Sequence, residues 1–367
     1  MKKKLKITLG VILGIIAALL LTVGGYVIYL QANYSRIDDF TKIATENNTS
    51  EVLKADGEYS AVTYNIGFGA YEPEFTFFMD TGIMKDGTEV SGTEARAFSE
   101  ENARKNTEGA IQAMAELDSD FYIIEEVDKK ATRSYDINQY EMICQAMPNY
   151  GSAYTSAFHS VYLFYPLTQP HGSVESGLVT LSKYHIDENM RRQFPVSTSF
   201  IDKFFDLDRC FTVSRIPIDN GKELVLISLH MSAYDKGGEM RKKQLEMLNG
   251  VFAEEYAKGN YVVAGGDWNH DIAGTIDTFE CEQKIPGWVY QLDDSQLSEG
   301  FSFVIPENAS EVPSCRGADV TYKKGYGYTV TVDGFVVSDN VEAVSEVMDT
   351  EFAYSDHQPV KLTFKLK

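Results

Sequence analysis

The stretch GGDWNHD, Gly265 to Asp271, follows the apolar run YVVA. Two aspartates, an asparagine and a histidine at the end of an apolar strand can hold a hard cation, orient water and move protons. The same residue types recur at other predicted strand ends. Asn65 closes AVTYN, Glu126 closes FYIIEE, and His230 closes LVLISLH. Asp333 sits within TVDGFVV, and Asp356 and His357 open the last strand in SDHQPV. Taken singly, an Asn or Asp at a strand end is ordinary turn chemistry, and a lone His is ordinary structure. Their repetition in one kind of place points to a shared rim, formed if the strand ends converge. Carboxylate and amide oxygens are hard donors suited to Mg²⁺, Mn²⁺ or Ca²⁺. No cysteine lies among them and the two histidines are far apart, which argues against structural zinc.

The elements that must position these residues are mixed. SEENARKNTEGAIQAMAELD reads as a helix with Ser99 as its N-cap and acids in its first turn. GEMRKKQLEMLNGVFAEEYAKGN reads as a longer helix with Met240, Leu245, Leu248 and Phe252 apolar. YSAVTYN, DFYIIEEVD, GLVTLSKY, ELVLISLH, YVVAGGD and YTVTVDGFVVSD read as strands. So does QPVKLTFKLK, which alternates at Val360, Leu362, Phe364 and Leu366. Single helices separate groups of strands, which favours packed sheets of an α+β domain over a doubly wound sheet.

Before this domain the chain is different. MKKKLK precedes Ile7 to Leu30, which carries no charge. Those 24 residues rise about 36 Å as a helix, enough to cross a hydrocarbon core of about 30 Å. The run is longer than the apolar part of a signal peptide and no clean A-x-A site follows, which favours a retained anchor over a cleaved signal. Lys2, Lys3, Lys4 and Lys6 place the N-terminus in the cytoplasm and the rest outside. We therefore expect a basic tip and transmembrane anchor over 1–34, a polar stalk over 35–57, and one folded domain over 58–367.

The chain carries 54 acidic and 33 basic residues among 367, a formal net charge of −21. Such a protein repels polyanions at long range and shows no basic face for nucleic acid. Phosphate chemistry stays open, because bound cations can supply positive charge. RKKQ at 241–244 and YKKGYGY at 322–328 are the local basic candidates, read here as solvated surface. Tyr322, Tyr326 and Tyr328 could stack on bases or pack in a turn.

VTYNIGFG, YIIEEVD, ISLHMSAYD, GGDWNHD, TVDGFVVS and SDHQPV occur in this order. Together they resemble the endonuclease/exonuclease/phosphatase superfamily, DNase I-like, over about residues 58–367. The resemblance implies a four-layer α/β/β/α sandwich and metal-dependent phosphoester hydrolysis, with Mg²⁺ as the expected ion and Mn²⁺ or Ca²⁺ as alternatives. It implies metal ligation by Asn65, Glu126 and Asp356. It casts Asp267 as the residue that orients or activates water and Asn269 as an amide at the phosphate or metal. His357 falls at the scissile phosphate, Asp333 as its hydrogen-bond partner, and His230 as a second histidine. Arg209 in FFDLDRC is a candidate phosphate clamp. The residue before Glu126 is usually Gln in this family; here Glu125 adds a carboxyl. The glycines of GGDWN are expected to let backbone approach the phosphate, and Trp268 to enter the core.

The substrate stays open between nucleic acid, a smaller phosphodiester, a sphingomyelinase-like lipid substrate, and an inositol or sugar phosphate. A silent phosphate-binding module would need losses at the motif positions, and none is seen. A lipid enzyme should carry an exposed apolar hairpin; FTFFMDTGIM at 75–84 and VYLFYPL at 161–167 are candidates, the latter equally a core strand. No feature indicates an obligate protein partner. Cys144 and Cys210 read as buried thiols. DNase-like relatives imply a disulfide between Cys281 and Cys315.

Overall fold

The strand Glu223–His230 shows why the chain folds in layers. Leu224 and Leu226 join one core cluster, while Val225, Ile227 and Leu229 join another. Side chains alternate across a strand, so a strand apolar on both faces must be covered on both. The computed structural model, which describes residues 2–196, 208–233 and 238–367, covers it with a helix on one side and a second sheet on the other.

One sheet has seven strands, in the order Thr41–Ile43, Glu188–Gln193, Cys210–Pro217, Glu223–His230, Tyr261–Asp267, Asp333–Ser338, Phe301–Val304. The other has six, in the order Val341–Val347, Val360–Leu366, Glu58–Asn65, Phe121–Ala131, Gly172–Ser182, Gly151–Leu163. Between them lie Ala61, Phe121, Ile123 and Leu362 of the second sheet, and Leu226, Val263 and Phe335 of the first. Helix Glu239–Ala257 covers the outer face of the seven-stranded sheet with Leu245, Leu248 and Phe252. Helices Glu100–Leu117 and Gln139–Ala146 cover the outer face of the other, through Ala110, Met114 and Ile143. This is the expected α/β/β/α order. Ser99 caps the first of these helices, its Oγ accepting from the Asn102 N–H at 3.1 Å.

Three segments differ from the sequence reading. YTVTVDGFVVSD is not one strand. Thr331 donates to Thr275 Oγ1 and Val332 accepts from the Trp268 N–H, so the ladder breaks between Thr329–Val330 and Asp333–Ser338. Residues 35–57, read as a stalk, lie on the domain. Thr41–Ile43 pairs antiparallel with Glu188–Gln193, and Glu46 bridges Ser152. In RKKQ, Arg241 and Gln244 are fully buried rather than solvated.

Lys2–Asn33 is one helix of 32 residues, long and apolar enough to cross a membrane. Its side chains from Leu5 to Leu21 are exposed, but Tyr26 and Leu30, with Tyr34 just past its end, pack against Val161 and Leu163 of the folded domain.

Candidate active site

The register of the seven-stranded sheet builds half of the site. His230 pairs with Asp267 across the parallel strands, and Asp267 with Asp333 across the antiparallel pair. Three neighbouring strands thus put three functional side chains in one row. The other sheet contributes Asn65, opposite Glu125, and the segment before its strand Val360–Leu366 brings Asp356 and His357.

These groups meet. His357 Nδ1 donates to Asp333 Oδ2 at 2.8 Å, and its Nε2 lies 3.7 Å from Asp267 Oδ2. His230 Nε2 lies 3.3 Å from that same Asp267 oxygen. Asn65 Nδ2 donates to it at 3.2 Å and lies 3.4 Å from Glu126 Oε1. Asn65 Oδ1 accepts from the Gly67 N–H, and its carbonyl from Ser355 Oγ, which ties the two segments of the six-stranded sheet together. Asn269 takes a positive φ of 50° so that its N–H donates to Asp267 Oδ1 and its Nδ2 to the Met231 carbonyl.

Burial and neighbouring charge set the protonation of the cluster. Burial opposes charge on His357, yet Asp333, followed by Cys315, Asp267 and Asp356, holds its pKa well above the usual value, so it is an imidazolium. Burial drives His230 well below its usual value, helped by Arg209 and His357, so it is neutral. Burial raises Asp267 to about 7, with Asp333 adding to the rise and His357 opposing it. Burial also raises Asp356, and the charge of Glu126 adds to the effect. The electrostatic effects on His230 place Arg209 near it; Arg209 is itself buried. Phe204–Leu207 of its motif lie outside the described residues.

Glu126 does not end its strand. It occupies a β-bulge between Ile124 and Val127, with φ of 55°, and the strand runs on to Ala131. The extra residue lets two consecutive glutamates face different surroundings. Glu126 is half-buried at the site. Glu125 is fully buried between the sheets and accepts from Thr63 Oγ1 at 2.8 Å. Burial first, and then Asp333, raise Glu125 well above the carboxylate range. The expectation that it adds negative charge is therefore corrected: it is held as a neutral acid, close in form to Gln.

Two donor sets can be weighed for a cation. Ligand atoms of Asp267, Asp333 and His357 lie within 4.8 Å of one another, but the His357 proton already joins Asp333. The set Asn65, Glu126 and Asp356 offers hard oxygen donors. Glu126 and Asp356 are close enough to oppose each other's charge, which a divalent ion would relieve.

The structure adds residues that sequence reasoning missed. Ser314 Oγ donates to Asp333 Oδ2 at 2.7 Å and accepts from the Asp333 N–H. Arg241 donates to the Asn269 carbonyl at 2.9 Å. Both are positioning residues, and a lone Ser or Arg in a polar run gives no signal of this. Cys315 Sγ lies 3.6 Å from His357 Nε2, while Cys281 Sγ turns to the Gln283 carbonyl. The implied Cys281–Cys315 disulfide is corrected: all four cysteines are free thiols, Cys210 buried and Cys144 half-buried. A Cβ on Gly265 would sit 2.5 Å from the Phe335 ring, and one on Gly266 1.9 Å from the Leu229 carbonyl. Both glycines serve sheet packing. Trp268 is fully buried, its Nε1 donating to the Gly334 carbonyl.

No family model matches the sequence, and no curated protein matches it. Solved structures share its fold. An endonuclease/exonuclease/phosphatase from Beutenbergia cavernae is 14% identical with a TM-score of 0.55, over 84% of this chain and 72% of that chain. A family protein of the same description from Leptotrichia buccalis is 13% identical with a TM-score of 0.54, over 84% and 100%. D. rerio TDP2, solved with a single-strand DNA product, is 13% identical with a TM-score of 0.51, over 84% and 100%. The chain has the endonuclease/exonuclease/phosphatase fold.

Proposed function

We propose that the protein is a divalent-metal-dependent phosphoesterase that directs water at a phosphodiester. The observation that carries this reading is the cluster in which His357 lies between Asp333 and Asp267 while Asn65 joins Asp267 to Glu126. Asn65, Glu126 and Asp356 would hold the ion, Mg²⁺ first. When bound, it would offset phosphate charge and polarise a phosphoryl oxygen.

The remaining steps belong to the chain. Asp267, with a pKa of about 7, is suited to orient water and accept its proton near neutrality. Neutral His230 donates its Nε2 proton to Asp267 and fixes the direction of that carboxylate. His357, an imidazolium, donates to a phosphate oxygen through Nε2, a charge-assisted bond that strengthens as charge develops. Asp333 holds the ring and its charge, and Ser314 holds Asp333. The second Nδ2 proton of Asn269, whose first goes to the Met231 carbonyl, and Arg209 complete the phosphate contacts.

The substrate is read as a phosphodiester, nucleic acid included; the D. rerio neighbour with its single-strand DNA product supports that class. The net charge of −21 disfavours long polyanions and favours short or smaller diesters. Tyr328 is buried and Tyr322 packs on Phe352, so neither supports base stacking. The anchor over 1–34, with its lysines cytoplasmic, would carry the folded domain on the outer face of the membrane. Purified protein should hydrolyse at least one member of a panel of single-stranded DNA, RNA, sphingomyelin and inositol phosphates with Mg²⁺ or Ca²⁺. Bound metal with no hydrolysis of any member would instead indicate a phosphate-binding module.

A further inference from the structure

We infer that the loop Phe164–Leu167 enters the surface of the same membrane that the N-terminal helix crosses, giving the domain a second membrane contact. The loop follows the edge strand Gly151–Leu163, and three of its side chains are bare: Phe164 is 53%, Tyr165 66% and Leu167 85% exposed. From Val161 to Pro170 the chain carries no charged residue, in a protein of net charge −21.

The occupant is identified by what holds the loop in place. Tyr26 of the helix donates its hydroxyl to the Tyr162 carbonyl at 3.1 Å, and its ring meets Phe164 edge-on at 5.4 Å. Leu30 is only 3% exposed because it packs with Leu163. These contacts set the level of the loop along the helix. The apolar run ends at Leu30, and Tyr26 lies four residues, about 6 Å, before that end. A run of about 36 Å centred on a core of about 30 Å extends about 3 Å beyond it on each side. Tyr26 then sits about 3 Å inside the hydrocarbon edge, next to the headgroup level at which Tyr and Trp collect. Phe164, touching Tyr26, is held at that depth, and Tyr165 and Leu167 flank it. Tyr165 also meets Phe78 at 5.7 Å, next to Met79, itself 50% exposed. The apolar patch is therefore continuous with the membrane-crossing helix and faces the same solvent, lipid.

The consequence is orientation. A domain joined to the membrane by one helix alone turns about it; one that also seats a loop has a fixed face toward the bilayer. The inference rests on the helix spanning the membrane and not on the phosphoesterase reading, and its test measures no activity. Full-length Phe164→Trp, Leu167→Trp and Val344→Trp chains are reconstituted in phosphatidylcholine vesicles, with and without bromine on the acyl chains near the headgroups. Leu167 is exposed enough that its replacement disturbs no packing. Val344 lies on Val341–Val347, the opposite edge of the sheet. The added fluorescence at 164 and 167 should be blue-shifted and quenched by brominated lipid, whereas that at 344 should be quenched only by aqueous acrylamide. Acrylamide quenching at 164 and 167 without an effect of bromine would overturn the inference. So would shielding from both quenchers, which would mean that protein covers the loop.

Discussion

Replacing Glu125 by Gln should stabilise the protein at neutral pH, against the usual result of altering a buried residue. Glu125 is fully buried, accepts from Thr63 Oγ1 at 2.8 Å through one oxygen, and has no partner for the other. Its folded pKa is raised well above the ordinary value, by burial and then by Asp333, whereas the unfolded chain ionises it near pH 4.3. Between those two pKa values the folded state binds one more proton than the unfolded state. Stability must then fall as pH rises, by about 1.4 kcal/mol per pH unit from this group alone. Gln keeps the shape and the acceptor for Thr63 but cannot ionise, so it removes that slope. Urea unfolding of both chains, in detergent with EDTA, from about pH 4 to about pH 8, measures it. The two should be nearly equal at the acid end, with the variant gaining stability as pH rises. A difference independent of pH, or a variant that loses ground as pH rises, would refute the neutral-acid assignment.

Three further outcomes are expected. Asp333→Asn removes a charge-assisted bond worth about 1.5–3 kcal/mol, so kcat on a small phosphodiester should fall about 10–100-fold with KM little changed; an unchanged kcat would detach Asp333 from the chemistry. Gly266→Ala should cost about 2–6 kcal/mol through backbone conformation and overpacking, because its φ is 150° and the new Cβ would meet the Leu229 carbonyl; wild-type urea resistance would contradict the packing role. Non-reducing peptide maps should find Cys281 and Cys315 as free thiols, with Cys315 blocked from thiol reagents until unfolding; a bridged peptide would reject that structure.

The sequence made the chemistry legible where local pattern and function coincide. Asn65, His230 and Asp267 end strands, and the alternation that predicts those strands also predicts where they stop. Glu126 was legible in type but not in setting, because nothing local marks the bulge that separates it from Glu125. The break between Val330 and Asp333 depends on Thr275 and Trp268, far away in the chain, and so leaves no local trace. The same holds for Arg241: its position in a basic run says surface, and only the fold shows that it reaches the Asn269 carbonyl. Cys281 and Cys315 share a loop-rich region, but Cys315 turns to His357, a choice set by tertiary packing.

The central claim is that a divalent ion held by Asn65, Glu126 and Asp356 is needed for phosphoester hydrolysis. Its most direct test is the rate on bis-p-nitrophenyl phosphate as Mg²⁺ is titrated into EDTA-stripped wild-type and Glu126→Gln protein. The expected result is no turnover without metal, recovery with Mg²⁺ in the wild type, and a variant that needs far more Mg²⁺ and reaches a lower maximum. Turnover that survives EDTA, or a variant with the wild-type Mg²⁺ dependence, would contradict it.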